Sequence, residues 1–301
     1  MDSFTKHHMH LFLLIDIVVA FNVIYKIILA RIVFKNICEQ ISSLTLYRLL
    51  GVNVRNYDSD IDSVKKKIRI EIWRTLEEKN IARFPLPIKD RIPNFVGSEK
   101  AAYKVINHEI FLKAKVVFCC PDSPQRPIRE HVIRSNKILV MATPRLREGF
   151  LILCRKYVPV GKERQASTIR GAFIYGRKTE DPPYNIDLKV AGSVAVTVDG
   201  RRLGKGGGYS DLEYAILREL GLIDDKTPVI TTVHDLQIVD YIPVTKHDVP
   251  LDYIFTPTRV IKTNTKLQKP KGLILEELDH KKIEEVPILK KLLRKRNYYN
   301  L

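Results

Sequence analysis

Residues 199–214 read DGRRLGKGGGYSDLEY, a glycine-rich stretch that runs into an apolar pattern of helical spacing. Four of its glycines, Gly204, Gly206, Gly207 and Gly208, are clustered between a predicted strand and a predicted helix. Clustered glycines let backbone N–H groups come close to an anion, and the first turn of the following helix adds partial positive charge. The stretch therefore predicts a phosphate-binding loop.

Three cationic side chains, Arg201, Arg202 and Lys205, stand beside these glycines. The loop is not a Walker A motif, because Gly206 follows Lys205 where that motif requires Ser or Thr. It is not the GxGxxG dinucleotide fingerprint either, because Tyr209 stands in the place of the third glycine. A flexible turn between a strand and a helix is the alternative, but three cations at a helix start favour an anion site.

The segment after the loop has the clearest helix signal in the chain. Ser210 and Glu213 have the spacing of a capping box, and Gly221 follows the last apolar position of a helix predicted over residues 210–220. Further helices are predicted over residues 65–80, 98–110, 127–136 and 287–296. Residues 160–185 are polar and interrupted by Gly and Pro, and they predict a long loop.

Short apolar runs alternate with these helical patterns. They predict strands over residues 115–120, 138–142, 188–197, 229–233 and 253–255. Strands that alternate with helices predict the α/β class: a three-layer, open, mainly parallel sheet with helices on both faces, of Rossmann-like type. Ligands bind such sheets at the carboxyl ends of the strands.

The net charge of +17 is distributed unevenly along the 301 residues. Residues 1–64 carry equal numbers of basic and acidic side chains, so the excess lies beyond them, and residues 262–301 form a basic tail. Such a balance favours polyanionic partners such as nucleotides, polyglutamyl chains or nucleic acid. A solvated lysine-rich surface explains the charge equally well.

The four cysteines form no CxxC pair, which favours buried thiols in a reducing cytoplasm over a disulfide framework.

The N-terminal extension, residues 1–60, is apolar between residues 11 and 34. That length suits a membrane span, but Asp16, Lys26 and Arg31 fall inside it, and charges at mid-bilayer are costly. Three interpretations are open: a membrane anchor, an amphipathic appendage, or a true translation start downstream. We favour the last two together, so a membrane partner is not expected.

The loop resembles the ATP-binding motif of the 5-formyltetrahydrofolate cyclo-ligase (methenyltetrahydrofolate synthetase) family, which is roughly R-x-G-x-G-x-G-Y-Y-D. The matching residues are Arg202, Gly204, Gly206, Gly208, Tyr209 and Asp211. The family's first helix carries K-x-x-[LI]-R, which Lys65, Ile68 and Arg69 match. The resemblance covers about residues 64–261 and is closer still to methenyltetrahydrofolate synthetase domain-containing proteins. It shares with them RIPNF (91–95), TPRLR (143–147) and DYIFTPTRVI (252–261).

The resemblance implies a cytoplasmic enzyme over residues 61–261 that uses ATP and Mg²⁺ to convert 5-formyltetrahydrofolate to 5,10-methenyltetrahydrofolate. It implies that Lys205 and Tyr209 act in catalysis and that Asp211 and Asp248 bind Mg²⁺. The nucleotide-binding set it implies is Lys65, Arg69, Arg202, Gly204, Lys205, Gly206, Gly207, Gly208 and Tyr209.

His234 and Asp235 follow a predicted strand at its carboxyl end, but a structural role is favoured for His234. Trp73 is expected to pack the first helix onto the sheet.

The chain departs from the family in its folate half. Cyclo-ligases carry a Glu that contacts folate after the segment equivalent to VVFCCPDSPQR, and here the region offers Gln125 and Arg126. Gly207 replaces a basic position of the loop, and Ser210 replaces the second Tyr. A nucleotide- or RNA-binding module without the reaction is therefore the rival hypothesis, with the basic tail as its RNA-binding element. An ATP-dependent enzyme acting on another pterin is a third.

Overall fold

The computed structural model describes the backbone of residues 54–295 and the side chains of residues 61–295. The chain divides into two units, residues 1–62 and 63–301, and the fold described below is that of the second. The prediction for residues 11–34 falls outside the described residues. Within residues 54–295, no helix combines the length and the apolar character needed to cross a membrane.

The helices of the described region are amphipathic segments that flank a central sheet. They are α1 (Val54–Glu78), α2 (Ser98–Ile106), α3 (Glu109–Lys113), α4 (Arg126–Arg134), α5 (Glu163–Ala166), α6 (Ile169–Tyr175), α7 (Tyr209–Glu219), α8 (His280–Glu285) and α9 (Pro287–Lys295). Short 3₁₀ turns follow several strands, at Ser123–Gln125, Pro144–Leu146 and Asp235–Gln237, and a further one, Leu275–Glu277, precedes α8.

The strands form one large sheet and two small hairpin-like pairs. In chain order they are β1 (Ala82–Arg83), β2 (Asn94–Phe95), β3 (Val116–Cys119), β4 (Ile138–Ala142), β5 (Phe150–Leu153), β6 (Arg177–Thr179), β7 (Leu188–Ala191), β8 (Ala195–Val196), β9 (Arg202–Leu203), β10 (Val229–Thr232), β11 (Tyr253–Phe255) and β12 (Val260–Lys262). The large sheet has eight strands in the order β12-β11-β10-β7-β3-β4-β5-β6. The small pairs are β1 with β2 and β8 with β9.

The five central strands of the large sheet, from β11 to β4, are parallel, and the strands added at either edge are antiparallel. β3, β7 and β10 are buried along their whole length, as parallel strands covered on both faces must be. One hydrophobic cluster on one side of the sheet includes α7 and α9, and a second on the other side includes α2, α4 and α6. The predicted α/β class and mainly parallel sheet are confirmed.

Three local predictions are wrong. Residues 160–185 contain α5, α6 and β6 rather than one long loop, because tertiary contacts such as the Arg155–Glu163 ion pair stabilise helices too short to show periodicity. The predicted strand over residues 188–197 ends at Ala191 and the chain then turns into β8. Trp73 packs with Ile88, Ile92 and the β8–β9 pair rather than onto the large sheet, and its Nε1 donates to the carbonyl of Arg91 over 3.0 Å.

Candidate functional site

The glycine loop joins β9 to α7 at one end of the central sheet. Gly206 and Gly208 have φ of 107° and 67°, left-handed values that favour glycine over any side chain. Gly208 is the N-cap residue of α7, so the helix begins from a backbone turn and not from the predicted Ser210–Glu213 capping box. That prediction was wrong by two residues. The first N–H groups of α7 thus open directly onto the loop.

Two cations of α1 reach the site from one helix face. Arg69 Nε donates to the carbonyl oxygen of Gly204 over 2.8 Å, and its guanidinium lies against Gly206. Lys65, one turn earlier, places Nζ 2.6 Å from Oδ2 of Asp248. The i, i+4 spacing therefore brings one predicted ligand, Arg69, to the glycine loop and the other, Lys65, to the predicted metal ligand Asp248.

The loop before β11 fixes the Asp248 carboxylate. Its Oδ2 accepts hydrogen bonds from the Thr245 backbone N–H over 2.7 Å and from the Thr245 hydroxyl over 3.0 Å, as well as from Lys65. A carboxylate oxygen with three donors is held in one orientation. The sequence analysis did not predict a role for Thr245. Its position three residues before Asp248 is the only sequence signal for the turn that these hydrogen bonds form.

A buried ion pair lies below the loop. Arg202 donates from one terminal nitrogen to the Asp211 carboxylate over 2.5 Å and from the other to the Gly192 carbonyl over 2.9 Å. Burial acts to raise the pKa of Asp211, but the adjacent Arg202 guanidinium outweighs it, and the pKa lies below its usual range. Arg202 thus orients the first turn of α7 from beneath and keeps Asp211 ionised.

The two residues predicted to act in catalysis contact carboxylates that sequence reasoning missed. Lys205 Nζ lies 3.3 Å from Oδ1 of Asp122, and its side chain is 45% exposed. The Tyr209 hydroxyl donates to Oε2 of Glu285 over 2.9 Å. Burial, and then the hydrogen bond to Glu285, raise the pKa of Tyr209, so its phenol stays protonated at neutral pH. Asp122 follows β3, and that position at a strand end was the available signal.

A backbone hydrogen bond links Asp211 to the loop that carries Asp248. The N–H of Val249, the residue after Asp248, donates to Oδ1 of Asp211 over 3.2 Å. Among the described residues, no group of three or more His, Cys, Asp or Glu side chains is arranged to hold a metal by itself. Mg²⁺ commonly takes one or two carboxylates and completes its shell with substrate phosphates and water. The two carboxylates therefore fit a Mg²⁺ that binds together with a nucleotide.

A second buried pair stands next to this cluster. Lys189 on β7 and Glu213 on α7 approach to 3.5 Å, and the Lys189 ammonium lies 4.3 Å from the centre of the Phe118 ring. Burial lowers the pKa of Lys189 and raises that of Glu213. Glu213, which the sequence suggested as a capping residue, therefore points into the protein. Lys189 was missed because it interrupts an otherwise apolar strand.

Gln125 does not stand in for the family's folate-contacting Glu. Its side chain is fully buried and donates to the hydroxyl of Thr232 over 3.0 Å.

Cys119 and Cys120, free thiols at the end of β3, are buried beside Gln125. Burial raises the pKa of the Cys119 thiol to about 12, so this thiol stays protonated at neutral pH.

His234 has the structural role that the sequence favoured. The ring Nδ1 of His234 accepts from the backbone N–H of Leu236 over 3.2 Å, and the backbone N–H of His234 donates to Gln237 Oε1. The two bonds form a capping box for the 3₁₀ turn Asp235–Gln237. Burial lowers the pKa of His234 below its usual value. The ring is thus a neutral cap for the turn.

An α/β sheet with a glycine-rich loop, a helix N-terminus and several surrounding cations defines a class of phosphate-binding proteins. The sequence model of the 5-formyltetrahydrofolate cyclo-ligase family matches residues 61–257. The chain belongs to that family.

Several known proteins are similar to this chain. A methenyltetrahydrofolate synthase domain-containing protein of Danio rerio is 41% identical over 234 residues, which cover 76% of this chain and 61% of the relative. The Homo sapiens protein of the same name is 42% identical over 237 residues, with coverages of 76% and 61%. The chain thus spans about three-fifths of the length of these relatives. A 5,10-methenyltetrahydrofolate synthetase structure from Aquifex aeolicus aligns with a TM-score of 0.43 at 22% identity over 72% of this chain and 98% of its own.

Proposed function

We propose that the chain is a 5-formyltetrahydrofolate cyclo-ligase that uses ATP and Mg²⁺ to form 5,10-methenyltetrahydrofolate. The observation that carries the proposal is the convergence of Lys65, Arg69 and Arg202 on one glycine loop and two aspartates. Membership of the cyclo-ligase family supports a role in folate metabolism. The free, buried thiols of Cys119 and Cys120 support a reducing compartment, and we place the reaction in the cytoplasm.

The reaction closes a ring at the expense of one phosphoryl bond. The formyl oxygen of 5-formyltetrahydrofolate attacks the γ-phosphorus of ATP, ADP leaves, and N10 of the folate then attacks the activated formyl carbon. Inorganic phosphate departs with the former formyl oxygen, and the proton from N10 passes to solvent. Such a transfer requires positioning and charge neutralisation rather than a nucleophile on the protein.

The loop and its cations would hold the nucleotide. The N–H groups of Gly206, Gly207 and Gly208 and the start of α7 would donate to the phosphates, and Arg69 and Lys205 would add positive charge. Lys205 is half-exposed and makes only a 3.3 Å contact with Asp122, so it can turn toward a phosphate at small cost. Arg202, whose two terminal nitrogens donate to Gly192 and Asp211 below the loop, would support the loop rather than contact the ligand.

The two aspartates would hold Mg²⁺ against the phosphates. A bound Mg²⁺ neutralises charge that develops on the β- and γ-phosphate oxygens. Asp211 is ionised because of Arg202, and Asp248 is oriented by Thr245. The Tyr209 ring would stack near the pterin while its protonated hydroxyl donates to Glu285, and both Tyr209 and Lys205 are our candidates for catalytic residues.

The proposal is tested by incubating the full chain with 5-formyltetrahydrofolate and following the absorbance of the methenyl product. We expect product only when ATP and Mg²⁺ are both present. The Arg69→Met variant is expected to lose turnover, because it removes the cation that contacts Gly204, whereas Arg74→Met on the exposed part of α1 should retain it. Absence of product from the wild-type chain under all these conditions would refute the enzyme assignment.

A nucleotide- or RNA-binding protein without the reaction is the second candidate. The burial of Gln125 against Thr232 favours it, since the position at which cyclo-ligases present a folate-contacting Glu is turned into the core. Residues 262–295 carry exposed lysines that would contact RNA phosphates. Binding of ATP without any methenyl product would select this candidate.

A further inference from the structure

The chain continues past the region that the family model covers and returns to the glycine loop. Residues 273–293, here called the C-terminal segment, bury an apolar face in the same cluster as α7. The buried residues are Leu273, Val286, Ile288, Leu289 and Leu292. Their burial fixes the position of α8 and α9 on the domain, so the polar residues of α8 also have defined positions.

One lysine of α8 lies against the last glycine of the loop. A β-carbon built on Gly208 would be 2.7 Å from Nζ of Lys282. Gly208 is the N-cap of α7, so this ammonium group stands at the positive end of a helix of 11 residues. Among the described carboxylates, none forms an ion pair with Lys282.

Lys282 stands at a loop that already carries positive charge. The end of α7 carries roughly half a positive charge, and Arg69 and Lys205 add two full charges at the same loop. A bound polyphosphate would turn each of these repulsions into an attraction. The buried apolar face and the Tyr209–Glu285 hydrogen bond hold Lys282 in this place, and an anionic ligand would offset the positive charge there.

A hydrogen bond holds α8 in this orientation. Glu285 accepts from the Tyr209 hydroxyl over 2.9 Å, and Tyr209 is the first residue of α7. Lys282 and Glu285 are three residues apart in α8, so they lie on the same helix face. The bond thus connects the loop side of α8 to the start of α7.

We propose that the C-terminal segment completes the nucleotide site: Lys282 is a phosphate ligand, and the Tyr209–Glu285 hydrogen bond positions it. This inference rests on the proposed binding of ATP at the glycine loop. The segment lies beyond residues 61–257, the part of the chain that the cyclo-ligase family model matches. Lys282 then serves the nucleotide site, in contrast to the sequence-based hypothesis in which the basic tail binds RNA.

Calorimetric titration of the full chain with ATP–Mg²⁺ tests the inference, with Lys282→Met compared to Lys281→Met. Both variants lose one charge from α8, but Lys281 is exposed to solvent. We expect Lys282→Met to bind ATP about 10- to 100-fold more weakly, the range for a lost charge-assisted hydrogen bond, and Lys281→Met to change affinity less than about 3-fold. Lys282→Arg should retain most of the affinity, and equal thermal melting of the three variants would confirm that they fold alike.

The outcomes separate this inference from the proposed function. Equal ATP affinities for wild type, Lys282→Met and Lys281→Met would overturn the role of Lys282 and leave ATP binding intact. Failure of the wild type to bind ATP would refute the proposed function, and the inference with it. Inorganic tripolyphosphate is the second probe: a matching loss in Lys282→Met shows that the contact is to phosphate, whereas a loss with ATP alone contradicts a phosphate contact.

Discussion

Lys65 and Asp248 are joined by a 2.6 Å ion pair although 183 residues separate them in the chain. Both side chains are nearly buried, and Asp248 also accepts two hydrogen bonds from Thr245. One turn further along the same helix, Arg69 contacts Gly204. α1 thus connects the glycine loop to the loop that carries Asp248. The Lys65–Asp248 ion pair lies where we propose that a nucleotide-bound Mg²⁺ binds.

Replacing Lys65 by Met is expected to lower the free energy of unfolding by about 3 kcal/mol, because it leaves the Asp248 carboxylate without its cation in a nearly buried place. Chemical denaturation of the full chain measures this change. Lys66→Met removes the same charge from an exposed neighbour and should stay within about 0.5 kcal/mol of wild type. Equal losses in the two variants would show that the Lys65–Asp248 pair contributes nothing specific.

Replacing Asp211 by Asn is expected to destabilise the protein at neutral pH by about 3–5 kcal/mol, because Arg202 then loses its buried counter-ion. The pKa of Asp211 is lowered in the folded state, so its contribution is present above the ordinary Asp pKa of about 4 and is lost as the pH falls through the folded value. Wild type and Asp211→Asn should therefore converge in stability under acid. A constant difference down to low pH would contradict the ion-pair assignment.

Replacing Lys205 by Ala is expected to weaken ATP binding by about 1–3 kcal/mol, the range for a lost contact between a cation and a phosphate. Asp122→Asn removes the carboxylate that Lys205 contacts in the ligand-free protein, so it should leave ATP affinity unchanged or raise it. Lys226→Ala, in an exposed turn, is the control for net charge. Calorimetry that finds Lys205→Ala as tight as Lys226→Ala would remove Lys205 from the site.

Replacing Lys189 alone by Met should destabilise the fold, because Glu213 is then buried without its cation. Burial already raises the pKa of Glu213, so the penalty should grow as the pH rises above the usual Glu range. The double variant Lys189→Met with Glu213→Leu should be as stable as wild type, since an apolar replacement removes both desolvation costs. Denaturation curves for the single and double variants decide this, and additive losses would contradict a coupled pair.

The salt dependence of binding separates the enzyme from the RNA-binding alternative. RNA contacts release counterions, so RNA affinity falls steeply with salt, whereas an ATP site made of fixed N–H donors and few cations should depend on salt weakly. We expect ATP–Mg²⁺ affinity to change by less than about 10-fold between 50 and 200 mM salt, a range over which a protein with many phosphate contacts loses about 10³-fold or more. Tight RNA binding with a steep slope, together with absent ATP binding, would favour the alternative.

Much of the sheet was predictable because its strands are short apolar runs bounded by polar turns. Ile138–Ala142 and Tyr253–Phe255 have the predicted bounds. Phe150–Leu153 is also a short apolar run but was missed. Val260–Lys262 was missed because an edge strand with lysine has weak patterning. The predicted helix over residues 287–296 is confirmed as Pro287–Lys295.

The site was predictable as a set of residue types but not as a set of contacts. The glycine loop and the Lys65–Arg69 spacing can be found in the sequence, and the structure brings them together. The partners of these residues are remote: Asp122 lies 83 residues from Lys205, and Glu285 lies 76 residues from Tyr209. No periodicity or motif encodes such pairings, since they depend on where the folded sheet brings the strand ends.

Phosphorylation of the formyl oxygen of the folate by ATP is the step on which the proposed reaction depends, and an isotope experiment follows that oxygen. The full chain is incubated with ATP, Mg²⁺ and 5-formyltetrahydrofolate that carries ¹⁸O in the formyl group, and the inorganic phosphate is examined by ³¹P NMR. We expect one labelled oxygen in the phosphate for each methenyl product formed, because the formyl oxygen leaves with the phosphate. Phosphate without the label, or ATP hydrolysis with no methenyl product, would contradict it.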